Sequence, residues 1–180
     1  MKPRLLLLPG LFDSGPEHWQ SYWERSDPFS VRVRQRDWET PARSEWVETL
    51  DQAVTRYGQD VVLAAHSTSC ALVAFWAHAT GRKVKGALLV GPSDTEGPNY
   101  PKGPTGWAPM PLAPIPFPTI VVASTDDEYV SAERAAQFAK AWGSRLVMIG
   151  AAGHINSASG LGDWPAGKDL VQDLLAARGS

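Results

Sequence analysis

The sequence predicts a compact three-layer α/β/α sandwich with a mostly parallel central sheet. Three observations carry that prediction. Short apolar runs each end in small or turn-forming residues, and their apolarity is continuous rather than alternating, as in strands covered on both faces. Segments of helix length separate them, and strand–helix alternation of this kind builds a parallel sheet through right-handed crossovers.

The first strand is expected over residues 5–8, closed by Pro9-Gly10. Basic residues precede these leucines, but the run is too short for the apolar region of a secretory signal. A weaker strand is expected at 31–33, and Ser44 is placed to cap a helix running towards Tyr57. Residues 60–65 give the next strand, leading into an almost wholly apolar helix at 68–79 suited to a position against the sheet. Strands follow at 86–90, 119–123 and 145–149. Between the last two, Ser131 can cap a helix over 132–142 with Glu133 in its first turn, and a helix over 168–178 closes the chain.

One segment breaks the rhythm. Residues 91–118 hold nine of the fifteen prolines and four glycines. The strands on either side belong to one sheet, so the segment reads as a long surface loop rather than a linker; such loops are usually functional or disordered. The 180 residues then form one domain, 1–180. A formal net charge of −2 gives no basic footprint for nucleic acid, and no apolar run approaches the length of a membrane span. The single cysteine, Cys70, excludes an internal disulfide and fits a reducing compartment, so a cytoplasmic location is expected.

The chemistry-bearing feature is Ala65-His66-Ser67-Thr68-Ser69, where a strand runs straight into a helix. A serine at such a junction can sit on a sharp turn with its hydroxyl above the sheet. The G-x-S-x-G elbow uses glycines to pack that turn, and here Ala65 and Ser69 stand in their places. Taken alone, Ser67 also reads as an ordinary turn serine. A nucleophilic serine needs a base oriented by an acid, and in this arrangement they follow in the order serine, acid, histidine, each after a later strand. The sequence supplies Asp126-Asp127-Glu128 after strand 119–123 and Gly153-His154-Ile155 after strand 145–149.

His154 is therefore the expected general base, with a plain surface-loop histidine as the alternative. His66 is expected to point away from the nucleophile in a packing role, and His78 to be a cap or surface residue. His18, beside the loop after the first strand, is a candidate for lining the site. Asp127 is favoured over Asp126 because Val130, three residues on, can anchor the loop. Oxyanion donors are expected from the backbone N–H groups of Thr68 and Leu11. With no H-E-x-x-H motif or Cys/His cluster, neither a metal nor a cofactor is called for.

With these pieces placed, the chain resembles the small α/β hydrolases that include retinoblastoma-binding protein 9 and YdeN-like serine hydrolases. The resemblance spans essentially the whole chain. It rests on Leu8-Pro9-Gly10, on Ser14-Gly15-Pro16-Glu17-His18-Trp19, on His66-Ser67, and on the run from Ser124 to Val130. Its most specific part is Gly153-His154-Ile155-Asn156, followed by Ser159-Gly160-Leu161-Gly162 and Trp164-Pro165. It implies a lidless α/β-hydrolase fold, a triad on Ser67, Asp127 and His154, and activity on small esters. Two departures stand out: Ser69 replaces a glycine, and Phe12-Asp13 stand where relatives often have glycines. The chain lacks an L-x-C-x-E motif, so a retinoblastoma-type partner is not inferred.

Of the eight tryptophans, Trp46, Trp76 and Trp142 fall in expected helices and read as core. Trp19, Trp107 and Trp164 lie towards the site end, where Phe12, His18, Trp19 and Trp107 are candidates for lining an acyl pocket. The proline-rich loop around Trp107 is expected to form a fixed wall beside it. The function expected is carboxylic-ester hydrolysis through an acyl-enzyme on Ser67, with thioester or amide hydrolysis and a catalytically silent binding protein as alternatives.

Overall fold

A computed structural model describes residues 2–177. Six parallel strands form one sheet in the order β2-β1-β3-β4-β5-β6. They are β1 (Arg4–Leu8), β2 (Ser30–Arg32), β3 (Val61–His66), β4 (Gly86–Val90), β5 (Thr119–Ala123) and β6 (Arg145–Met148). The α-helices are α1 (Trp19–Ser26), α2 (Arg43–Tyr57), α3 (Thr68–Thr80), α4 (Ala132–Trp142) and α5 (Pro165–Ala176). None is long and apolar enough to cross a membrane among the described residues.

Alternate strand residues feed opposite layers, as a pleated strand requires. Leu6, Leu8, Leu63, Ala65, Leu89, Val121 and Ala123 pack with the buried faces of α2, α3 and α4. Leu7, Val62, Ala64, Leu88, Val90, Ile120 and Val122 face Trp19 and Trp23 of α1 and Val171 and Leu174 of α5. Continuous apolarity along the strands is thus the imprint of two cores rather than one. The edge strands are the exceptions: β2 is only part-buried, and β6, one residue shorter than expected, leaves Leu146 37% and Met148 41% exposed.

Several helix boundaries differ from expectation for identifiable reasons. Helix α2 begins at Arg43, and its N-cap Ala42 supplies no side-chain bond. The proline-rich loop satisfies the Arg43 N–H instead, through the Thr105 carbonyl at 2.9 Å, so Ser44 is not the cap. Helix α5 begins at Pro165 rather than residue 168, because proline lacks the N–H that a first helical position leaves unpaired anyway; the expected end at Arg178 lies outside the described residues. Ser131 caps α4 as expected, its hydroxyl accepting the Arg134 N–H. Helix α1 has no counterpart in the sequence reading. Its N-cap is His18, whose ring accepts the Gln20 N–H.

Neighbouring β1 and β3 send their chains on to opposite sides of the sheet, β1 to β2 and β3 to β4. Loops leaving such neighbours diverge and open a crevice at the carboxyl ends of the strands, the general position for ligands in open α/β sheets. Here the two loops are Pro9-Gly10-Leu11-Phe12 and His66-Ser67.

Candidate active site

Ser67 sits between β3 and α3 with φ +60° and ψ −125°, a left-handed backbone that a side chain rarely adopts. The turn is held because Ser67 N–H donates to Val90 O at 3.0 Å and its carbonyl accepts from Cys70 N–H. Gly10 presses against it from the loop after β1: a Cβ on Gly10 would lie 2.7 Å from Ser67 Cβ, so only glycine fits. Ser69, in place of the usual elbow glycine, donates from Oγ to the Pro9 carbonyl at 2.6 Å. The departure therefore exchanges close packing for a hydrogen bond that ties the start of α3 to the loop after β1.

His154 follows β6 and reaches back so that Nε2 lies 2.9 Å from Ser67 Oγ. Its Nδ1 is 2.9 Å from both oxygens of Asp127, whose side chain is fully buried and also accepts the Tyr129 N–H. Asp126 does something else. Its Oδ1 accepts from Ser124 Oγ and Gly153 N–H, both at 2.7 Å, and these bonds hold its carboxyl below the ordinary aspartate pKa. One acid faces the histidine ring and its neighbour clamps the histidine's loop.

Leu11 and Thr68, whose backbone N–H groups are the expected oxyanion donors, line the cleft together with Ser67. Neither Leu11 N–H nor Thr68 N–H has an acceptor among the described residues, whereas Phe12 N–H is engaged by Trp38 O at 2.8 Å. Phe12 and Asp13 occupy the positions usually given to glycine and keep the left-handed backbone glycine favours, at φ +66° and +62°. Asp13 is restrained by an ion pair with the buried Arg32 at 2.7 Å. Thr68 Oγ1 lies 3.2 Å from Tyr100 OH, and burial of that phenol pushes its pKa up to about 12.

The histidines beneath the site form a directional chain. His18 Nδ1 accepts the Gln20 N–H, so the proton of the neutral ring is on Nε2, 3.3 Å from His66 Nδ1. His66 must then carry its proton on Nε2, from which it donates to the His154 carbonyl at 2.8 Å. Burial, with Arg32 and His154 adding to it, lowers the His18 pKa to about 3, and burial likewise holds His66 well below its ordinary value. His66 therefore does not simply point away from the nucleophile: its edge supports the candidate base. His78 is exposed and donates to Pro114 O.

The cleft has a volume of about 360 Å³. Phe12 and His18 line it; Trp19 and Trp107 do not. Trp19 is buried behind His66 with its indole N–H on Ile155 O at 3.0 Å. Trp107 is buried between Trp46 and Phe75, its N–H on Pro41 O at 3.1 Å. The proline-rich loop thus anchors to the α2–α3 layer through Trp107 and meets the cleft through Ser93, Tyr100 and Pro101 instead. Sequence reasoning did not single out Ser93, Tyr129 or Tyr100. Gly91-Pro92-Ser93 directly follows a strand adjoining β3, a signal that was available for Ser93.

These features define an α/β hydrolase. The serine hydrolase family profile matches residues 5–173, and the chain belongs to that family. Solved structures agree. A YdeN-like hydrolase from Pectobacterium atrosepticum is 32% identical, with a TM-score of 0.85 over 97% of this chain and 91% of that one. The ydeN gene product of B. subtilis is 15% identical, with a TM-score of 0.76 over 98% and 100%. Est1E from Butyrivibrio proteoclasticus, solved with ferulic acid bound, shares the fold at 16% identity and a TM-score of 0.69 over 98% and 90%. Among curated proteins, none matches the sequence.

Proposed function

We propose that the protein hydrolyses small, uncharged carboxylic esters through an acyl-enzyme on Ser67. The observation that carries the reading is the continuous chain Ser67 Oγ–His154–Asp127, each link at 2.9 Å, beside two uncommitted N–H donors. Asp127 accepts a hydrogen bond from His154 Nδ1–H, which leaves Nε2 free to take the Ser67 proton as Oγ bonds to the ester carbon. The carbonyl π pair moves to oxygen, which Leu11 and Thr68 N–H groups stabilise; a donor of this kind contributes about 2.7–4 kcal/mol. Collapse breaks the bond to the alcohol, which leaves with the His154 proton. Water then repeats the sequence on the acyl-enzyme and releases the acid.

Substrate size and charge follow from the lining. The volume of about 360 Å³ is at the small end for ligand clefts. Among the residues lining it there is no lysine or arginine, and its one carboxylate, Asp13, is already paired with Arg32. A substrate carboxylate entering this cleft would find no counter-charge.

The test is fluorophosphonate labelling together with an ester series. Wild type should label and Ser67→Ala should not, and a butyrate ester should turn over at least about tenfold faster than the matching monosuccinate ester. Wild-type labelling no greater than that of Ser67→Ala, where a control hydrolase reacts, overturns catalysis and leaves a binding protein of the same fold.

A further inference from the structure

We propose that Ser93 is a catalytic residue whose hydroxyl donates to Ser67 Oγ and stabilises the charge that gathers there. The inference rests on the acyl-enzyme reading above.

Ser93 is delivered by the sheet. Strand β4 pairs with β3 in the register His66↔Val90, so the chain leaving β4 emerges beside the elbow. Gly91 turns it at φ +55°, and Ser93 N–H lies 3.5 Å from Ser67 O. The two hydroxyl oxygens are 2.7 Å apart, and Ser93 is 3% exposed. Among the described residues, Ser67 Oγ is the only hydrogen-bond partner of the Ser93 hydroxyl.

The direction of this bond follows from proton counting. Asp127 accepts from His154 Nδ1–H and so keeps that proton on Nδ1; Nε2 then presents a lone pair and the single Ser67 proton points to it. Ser93 must therefore donate and Ser67 Oγ accept. That uses one lone pair of Oγ and leaves the other for attack. When Oγ bonds to the ester carbon, its proton passes to His154 and the Ser93 bond remains. The bond is strongest while Oγ carries most negative charge, which is between deprotonation and completed attack. In the second half-reaction Oγ is the leaving group, gathers charge again and meets the same donor. A contact stronger in the transition states than in the ground states accelerates both halves.

The experiment compares wild type, Ser93→Ala and Ser93→Thr, with Ser67→Ala as the unreactive reference. It reads the second-order rate of fluorophosphonate labelling, the acyl-enzyme breakdown rate and the melting temperature. Ser93→Ala should label about 10–100-fold more slowly and deacylate more slowly, somewhat less than the loss of a full oxyanion donor. Ser93→Thr, which keeps the hydroxyl, should restore most of the labelling rate. The acid limb of the pH profile should not move, because Ser93 does not touch His154. Should Ser93→Ala fail to fold, Ser93→Cys, a weak donor, should fall between wild type and a full loss. Labelling by a folded Ser93→Ala as fast as wild type, or faster, overturns the role while leaving the nucleophile intact. Absence of labelling in wild type overturns the acyl-enzyme reading, and this role with it.

Discussion

Replacing His18 by asparagine should flatten the acid side of the stability profile. His18 is 3% exposed, and burial brings its pKa to about 3 in the folded protein against 6.5 in the open chain. Between those values the unfolded state binds a proton that the native state refuses, so native stability falls as pH drops. Each pH unit below 6.5 removes about 1.4 kcal/mol, so about 2 kcal/mol is lost by about pH 5. His66, held neutral by the same burial, adds a loss of the same sign. In His18→Asn the new amide would still offer an oxygen to the Gln20 N–H, the capping bond His18 now makes, but cannot titrate. Urea unfolding at about pH 7.5 and about pH 5 measures the loss in each protein. Wild type should lose about 2 kcal/mol more than His18→Asn over this interval. Equal losses would refute the claim that folding excludes a proton from His18.

Asp127→Asn should lower ester turnover by about 10³–10⁴-fold by upsetting the His154 tautomer, whereas Asp126→Asn should cost less than about tenfold, since an amide oxygen can still accept from Ser124 and Gly153; steady-state kinetics rank the two, and the reverse order would exchange their roles. Gly10→Ala forces a Cβ against Ser67 at 2.7 Å, and turnover should fall by about 100-fold if the elbow moves by about 1 Å. Trp107→Ala should lower stability by about 3–5 kcal/mol with KM unchanged, because its ring packs in the core rather than at the cleft; a raised KM without destabilisation would return Trp107 to the site.

The strands and the order of Ser67, Asp127 and His154 were legible because burial on both faces leaves unbroken apolar runs, each ending where a loop carries a polar group. Choosing Asp127 over Asp126 was legible only as spacing. The structure separates the two by what each carboxylate touches, which no local pattern encodes. Helix α1 escaped notice because a histidine ring caps it, and its tryptophans are explained only by the α5 layer they meet. Trp107 was misplaced for a similar reason: its N–H partner is Pro41, far away in the chain. Ser69 was visibly unusual, but its partner, the Pro9 carbonyl, became apparent only once β1 and β3 lay side by side.

That adjacency has a consequence for how the protein can vary. The pairing Leu8↔Ala65 fixes where the loops that carry Leu11 and Thr68 leave the sheet, so the two strands act as a ruler for the distance between two N–H groups. Adding or deleting one residue in β1 would slide one mark of the ruler by about 3.3 Å against the other. No repacking of side chains restores such a shift, because the groups concerned belong to the backbone. The far edge is under no such rule: β6 needs only to carry its following loop to Asp127. Lineages of this fold should therefore accumulate length changes around β6 and hold β1 and β3 to a fixed count.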